Sequence, residues 1–174
     1  MSPILVGYFA KPTKVPKDWT PSSVSEMCSV SNCLNPAPEG WVEYWRHNDL
    51  GFFDTREAAW SILPEGAKDF RLFAYRLLPV RYVQEKAEPF ELALGNVAAL
   101  TPEFTSLGFD VVNKTYSAFF ECSPLSCNGM ANEVAVNQFC LLATLDEAIA
   151  FAERCAREEP EPGPFYVIEV LGAR

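Results

Sequence analysis

The sequence predicts an α+β fold: a tandem duplication of a ββ(β)αβ unit, with a mostly antiparallel sheet and pseudo-twofold symmetry. Three observations carry this expectation. Short apolar, β-prone runs recur along the chain and are interrupted by two well-capped helices. Two loops share a C-x4-C spacing and open on the same Cys-Ser pair, CSVSNC from Cys28 to Cys33 and CSPLSC from Cys122 to Cys127. The order of features also repeats: Gly7-Tyr8 with Gly108-Phe109, the first cysteine loop with the second, DTREAAW at Asp54 with TLDEAIA at Thr144, and FAYRL at Phe73 with YVIEV at Tyr166. The offsets are 101, 94, 90 and 93, and each change falls in a loop or hairpin, where insertions are tolerated best. Residues 1–87 are expected to form the first α+β repeat and residues 88–174 the second, within one domain. One helix cannot cover a sheet of three or four strands alone, so the two units must join sheets or pack faces.

Taken in order, Ile4 to Phe9 reads as the first strand, and Lys11 to Ser31, with three prolines and many serines, reads as a long loop. Trp41 to Trp45 and Leu50 to Asp54 flank the polar RHND and predict a hairpin. Asp54 with Glu57 three residues on predicts a capped helix that Pro64 ends. Arg71 to Tyr82 reads as a strand with Phe73, Tyr75 and Leu77 on one face and Arg76 on the other; Pro79 suggests that it frays or follows a sheet edge. Gln84 to Pro89 is the candidate joint, and Phe90 to Leu100 fits helical spacing but is broken by Gly95 and Asn96.

Thr101-Pro102-Glu103 predicts a helix start ending at Gly108, with a strand at Phe109 to Val112. Tyr116 to Cys122 reads as a further strand, and Val134 to Val136 is expected to pair with Phe139 to Leu142. Thr144 and Glu147 form a T-x-x-E capping box, and Leu145, Ala148, Ile149, Ala152 and Cys155 share one helical face. Phe165 to Leu171 closes the chain as a strand.

Composition narrows the function classes. At 174 residues with 49% hydrophobic side chains the chain has ample material for a core. No apolar run approaches the roughly 18 residues of a membrane span, and MSPILVGYF lacks a basic region before its apolar stretch, so a soluble, cytoplasmic protein is expected. All of the net charge of −9 lies in the second half: residues 1–87 carry ten basic and ten acidic side chains, residues 88–174 four and thirteen. Such a chain repels phosphate backbones unless Lys11, Lys14, Lys17, Arg71, Arg76 and Arg81 gather on one face; neither nucleic acid nor membrane is expected as a partner, which leaves a protein or a small molecule.

The chemistry-bearing candidates are the cysteine loops and the aromatic hairpin. Six cysteines without an export signal argue against a disulfide framework, and C-x4-C is not a zinc-ribbon spacing. Symmetry would nevertheless allow Cys28, Cys33, Cys122 and Cys127 to offer four thiolates to zinc, the one cofactor these residues suggest. A thiol-dependent redox protein or enzyme using Cys122 or Cys127, with Glu121 or Asn128 as polar neighbour, is the alternative. The structural reading, small buried groups in tight turns, weighs most, because free cysteine is among the most buried residue types. His47 is the one histidine and sits in the predicted turn, and no phosphate loop, dinucleotide fingerprint, HExxH or nucleophile elbow occurs. The expected function is therefore non-catalytic binding, with Trp41, Tyr44, Trp45, Glu121, Cys122, Cys127 and Asn128 as contact residues.

Overall fold

The computed structural model describes residues 3–38, 40–41, 47–82, 97–114 and 120–173. Four strands, β1 (Ile4–Pro12), β2 (Phe70–Tyr82), β3 (Phe104–Asn113) and β4 (Phe165–Ala173), form one sheet in the order β1-β2-β4-β3. Every neighbouring pair is antiparallel. Among the described residues three short helices accompany it, α1 (Arg56–Ser61), α2 (Pro124–Cys127) and α3 (Leu145–Glu158), with a 3-10 turn at Met130–Asn132. The α+β class is thus as expected. The joint at Gln84 to Pro89 and the segment Phe90 to Asn96 lie outside the described residues.

Alternation along the strands explains how the sheet is buried. Tyr166 and Ile168 of β4 enter an aromatic cluster with Phe73, Tyr75, Tyr8, Phe52 and Phe53. Their neighbours Phe165 and Val167 enter a second cluster with Ala148, Phe151, Ala152 and Cys155 of α3. Ile149, expected on that helical face, is only half-buried, and Phe151 takes its place. The capping box forms as predicted: the Thr144 hydroxyl accepts the Glu147 amide, and the Glu147 carboxylate accepts the Thr144 amide. In α1 the cap is Thr55 rather than Asp54; its hydroxyl accepts the Ala58 amide at 3.1 Å. β2 is an interior strand, but its pairing with β1 ends at Leu77 and its register with β4 shifts between Leu77 and Arg81, so Pro79 falls where the ladder lapses, as expected of a residue without an N–H.

Three expected elements differ. Residues 101–108, read as a helix, are a turn followed by the first half of β3: the Phe104 amide donates to the Thr101 carbonyl, so the Thr-Pro-Glu signature opens a strand. The expected pairing of Val134–Val136 with Phe139–Leu142 is replaced by a loop wrapped around Asn137, whose side chain takes the amides that a ladder would have used. Phe120 to Cys122 is irregular, and residues 115–119 of that expected strand lie outside the described residues, as do residues 42–46 of the aromatic hairpin.

Both outer edges of the sheet are covered by the same device. Beside β1, the Asn48 side-chain amide donates to the Val6 carbonyl while its oxygen accepts the amides of Leu50 and Phe52. Beside β3, Asn137 donates to Leu107 and accepts from Phe139 and Leu141. Tyr8 bridges Phe53, and Phe109 bridges Leu142. At each edge a glycine, Gly7 or Gly108, has φ near +140° and follows a register shift. A Cβ there would stand 2.6 Å from Phe52 Cβ or from the Leu142 carbonyl oxygen, so only glycine lets the loop approach. Covering an edge in this way removes a template for strand addition.

Candidate metal centre

The two cysteine loops meet across the sheet, and a buried carboxylate joins them. Asp110, on β3, accepts four hydrogen bonds. The Ser29 hydroxyl and Val30 amide come from the first loop at 2.9 and 2.8 Å, the Ser123 hydroxyl from the second at 2.6 Å, and the Val111 amide from its own strand at 2.9 Å. Burial raises the Asp110 carboxyl above its usual range, against the pull of those donors. From the opposite edge strand the fully buried Lys11 ammonium donates to the Ser29 and Ser31 carbonyls at 2.6 and 2.7 Å. Burial brings Lys11 down to about 8, opposed by the charge of Asp110.

Serine hydroxyls complete the seam. Ser126 donates to the Ser29 hydroxyl at 3.0 Å, and Ser31 donates to the Glu121 carbonyl at 2.8 Å. In the second loop Pro124 opens α2, a single turn that turns Cys127 back toward the first loop; the Cys127 amide donates to the Ser123 carbonyl. The Cys122 amide donates to the Asn113 side chain at 2.7 Å, which fixes the start of the loop against the end of β3.

Three sulfurs come together as a result. Those of Cys33, Cys122 and Cys127 all lie within 4.8 Å of one another, with Cys33 and Cys122 at 3.7 Å. The Cys127 sulfur is 3.2 Å from the Ser31 hydroxyl. Cys33 is exposed and the other two are half-buried, so the cluster opens to the surface. Burial, then the sulfurs of Cys127 and Cys33, holds the Cys122 thiol well above its usual range; burial raises Cys127 as well, opposed by the Ser31 hydrogen bond. Without a cation these two groups are thiols at neutral pH, and a thiol is a poor nucleophile.

Cys28, expected as a fourth ligand, does not join them. It is buried in the aromatic cluster, its amide donates to the Phe139 carbonyl, and burial pushes its thiol up to about 12. The two cysteine loops therefore do not occupy equivalent positions. One buries its leading cysteine and exposes the other, while the second exposes part of both. Asn128 turns away from the sulfurs and ties Pro160 and Glu161, and Glu121 acts at the seam through its backbone. Trp41 packs edge-on against Phe9 at 5.4 Å, and Tyr44 and Trp45 lie outside the described residues. His47, expected in the turn, instead pairs with Phe53 in an isolated antiparallel bridge just before it, with its ring 5.6 Å from that of Trp41. Of the six basic residues weighed for a common face, Lys11 is buried and Arg71 and Arg76 pair with Glu26 and Glu169. Among the described residues no helix is long and apolar enough to cross a membrane.

The sequence reading missed Lys11, Asp110 and the seam serines as organisers. Their signals were present: an aspartate inside the apolar run FDVV, and a serine directly beside Cys28, Cys122 and Cys127, though not beside Cys33. Comparison with protein-family models, with curated proteins and with solved structures finds no match for this chain.

Proposed function

We propose that the chain is a non-catalytic metal-binding protein in which Cys33, Cys122 and Cys127 hold one thiophilic divalent cation, zinc foremost. The observation that carries this reading is the mutual approach of the three sulfurs. Zinc–thiolate bonds of ~2.3 Å at tetrahedral angles put neighbouring sulfurs about 3.8 Å apart, and Cys33 and Cys122 stand at 3.7 Å. Support also comes from the anchoring: both loops are fastened to Asp110 by hydrogen bonds that need no metal. Binding then displaces thiol protons rather than reorganising the backbone. Zinc titration of the chelator-treated protein tests the reading. One equivalent is expected, bound far more weakly by Cys33→Ser and Cys127→Ser; affinity unchanged in both would refute it.

We further infer that the sheet comprises two equivalent units, β1 with the Asn48 loop, α1 and β2, and β3 with the Asn137 loop, α3 and β4. What supports this is the matching set of bonds at the two edges, together with Gly7 facing Tyr75 and Gly108 facing Val170. The correspondence keeps the match of Gly7 with Gly108 read from the sequence and shifts the others. Thr55 rather than Asp54 matches Thr144, Tyr75 matches Val170, and the cysteine loops lie outside it. If the units are equivalent, Asn48→Ala and Asn137→Ala should lose similar stability in urea melts, and a loss confined to one would count against it.

A further inference from the structure

We propose that Cys33 and Cys122 form a thiol–disulfide couple that reacts with low-molecular-weight disulfides, and that its oxidised form dismantles the cation site. The second half rests on the cation reading above; the first does not. The two sulfurs are 3.7 Å apart on segments 89 residues apart in sequence. A disulfide requires ~2.05 Å, an approach that side-chain rotation of the exposed Cys33 can supply while the backbone stays where Asp110 and Asn113 hold it. Cys28, Cys140 and Cys155 are buried within apolar clusters and are not available to an incoming disulfide. Cys127 has the Ser31 hydroxyl against its sulfur and sits deeper than Cys33.

The chemistry balances in two exchanges. The Cys33 thiol loses its proton to water and its sulfur attacks one sulfur of R′S–SR′. That bond breaks, and R′S⁻ leaves and takes up a proton. The Cys122 thiol passes its proton to water, and its sulfur, held 3.7 Å from that of Cys33, attacks the Cys33 sulfur of the mixed disulfide and expels the second R′S⁻, which takes up a proton; this proximity, not an acidic thiol, drives the second step. The two protein thiols give up two electrons and two protons, and R′SSR′ becomes two R′SH. A cation that had three thiolates retains Cys127 alone.

The test uses the full chain after chelator treatment, incubated with oxidised glutathione. Free thiols should fall from six to four, and peptide mapping should give a single Cys33–Cys122 link that also forms in Cys127→Ser and reverses with reduced glutathione. The linked form should melt at higher urea, because the link closes a long loop in the unfolded chain. A glutathione adduct that stays on Cys33, or a link made through Cys127, would overturn the couple. In a parallel arm with zinc-loaded protein, zinc release should follow the link one for one, and zinc retained by linked protein would overturn the second half. A chain that never takes up zinc removes the cation reading and the second half together, while the metal-free arm still decides the couple.

Discussion

Lys11 and Asp110 stand on opposite edge strands and grip the same loop by its opposite polarities: Lys11 holds the carbonyls of Ser29 and Ser31, Asp110 the Ser29 hydroxyl and the Val30 amide. Asp110 alone reaches the second loop, through Ser123. Replacing it with Asn leaves one oxygen for four donors and turns an NH2 group toward the others. Each buried donor left unpaired costs about 1–3 kcal/mol. Asp110→Asn is therefore expected to lower the urea midpoint and to weaken zinc binding together. A variant that loses stability with unchanged zinc affinity would show that the seam does not position the sulfurs.

The buried titratable groups set a pH profile. Lys11, with its folded value near 8 against an ordinary 10.5, imposes a penalty that is fully present below about pH 8 and is relieved toward pH 10.5, so stability rises over that window. Cys28, Cys140 and Cys155, raised by burial from 9 to about 12, act oppositely: their contribution is intact below pH 9 and is lost above it. Each titrating group changes the slope by about 1.4 kcal/mol per pH unit. Three thiols outweigh one lysine, so stability should peak near pH 9 and fall beyond it. Cys155→Ala should flatten the fall by about 1.4 kcal/mol per pH unit in urea melts at pH 9, 9.5 and 10. An unchanged slope would mean that Cys155 ionises as freely in the fold as outside it.

Gly7 and Gly108 offer a direct measure of the edge loops. At either site alanine combines a positive φ with a Cβ pressed against backbone or a Cβ of the covering loop. The expected loss is about 2–5 kcal/mol for each, from strain and overpacking. Gly66 is the control: its φ is +75° but nothing lies within 4 Å of a Cβ there, so Gly66→Ala should cost only the backbone strain. If all three variants melted alike, close approach of the edge loops would not explain the geometry that Gly7 and Gly108 share.

Local chemistry explains which parts of the fold were legible. Thr144 and Glu147 satisfy each other's backbone amides without outside help, and that helix begins where the sequence places it. Arg71 to Tyr82, with Phe73, Tyr75 and Leu77 on one face, and the nearly continuous apolar run Phe165 to Leu171 both read as strands. Residues 101–108 misled because Thr-Pro-Glu is a local signal, whereas pairing of Ser106 with Leu171 and Gly108 with Val170 is a contact across more than sixty residues of chain. The cysteines misled in a related way: equal spacing suggested equal roles, yet Cys28 goes to the core because its loop is pulled inward at Ser29 and Val30, leaving Cys33 at the surface. Asp110, which has no mark in the C-x4-C pattern, holds the residue after the leading cysteine in both loops, Ser29 and Ser123, but takes a further backbone amide, that of Val30, only from the first; Cys28 is buried and Cys122 is not.

That difference separates a three-thiol from a four-thiol site. Cys28 contributes apolar contacts in the aromatic cluster, so Cys28→Ala should cost stability, about 1–2 kcal/mol for a small buried group, while zinc stoichiometry stays at one. Cys127→Ser removes a sulfur from the surface cluster and keeps a hydroxyl able to meet Ser31. Its metal-free stability should change by less than about 1 kcal/mol, and its zinc affinity should fall on the order of 100-fold. The two variants are thus expected to move opposite quantities, one the urea midpoint of the metal-free protein and the other the zinc titration. Loss of zinc in Cys28→Ala at unchanged metal-free stability would place Cys28 among the ligands and overturn the three-sulfur arrangement.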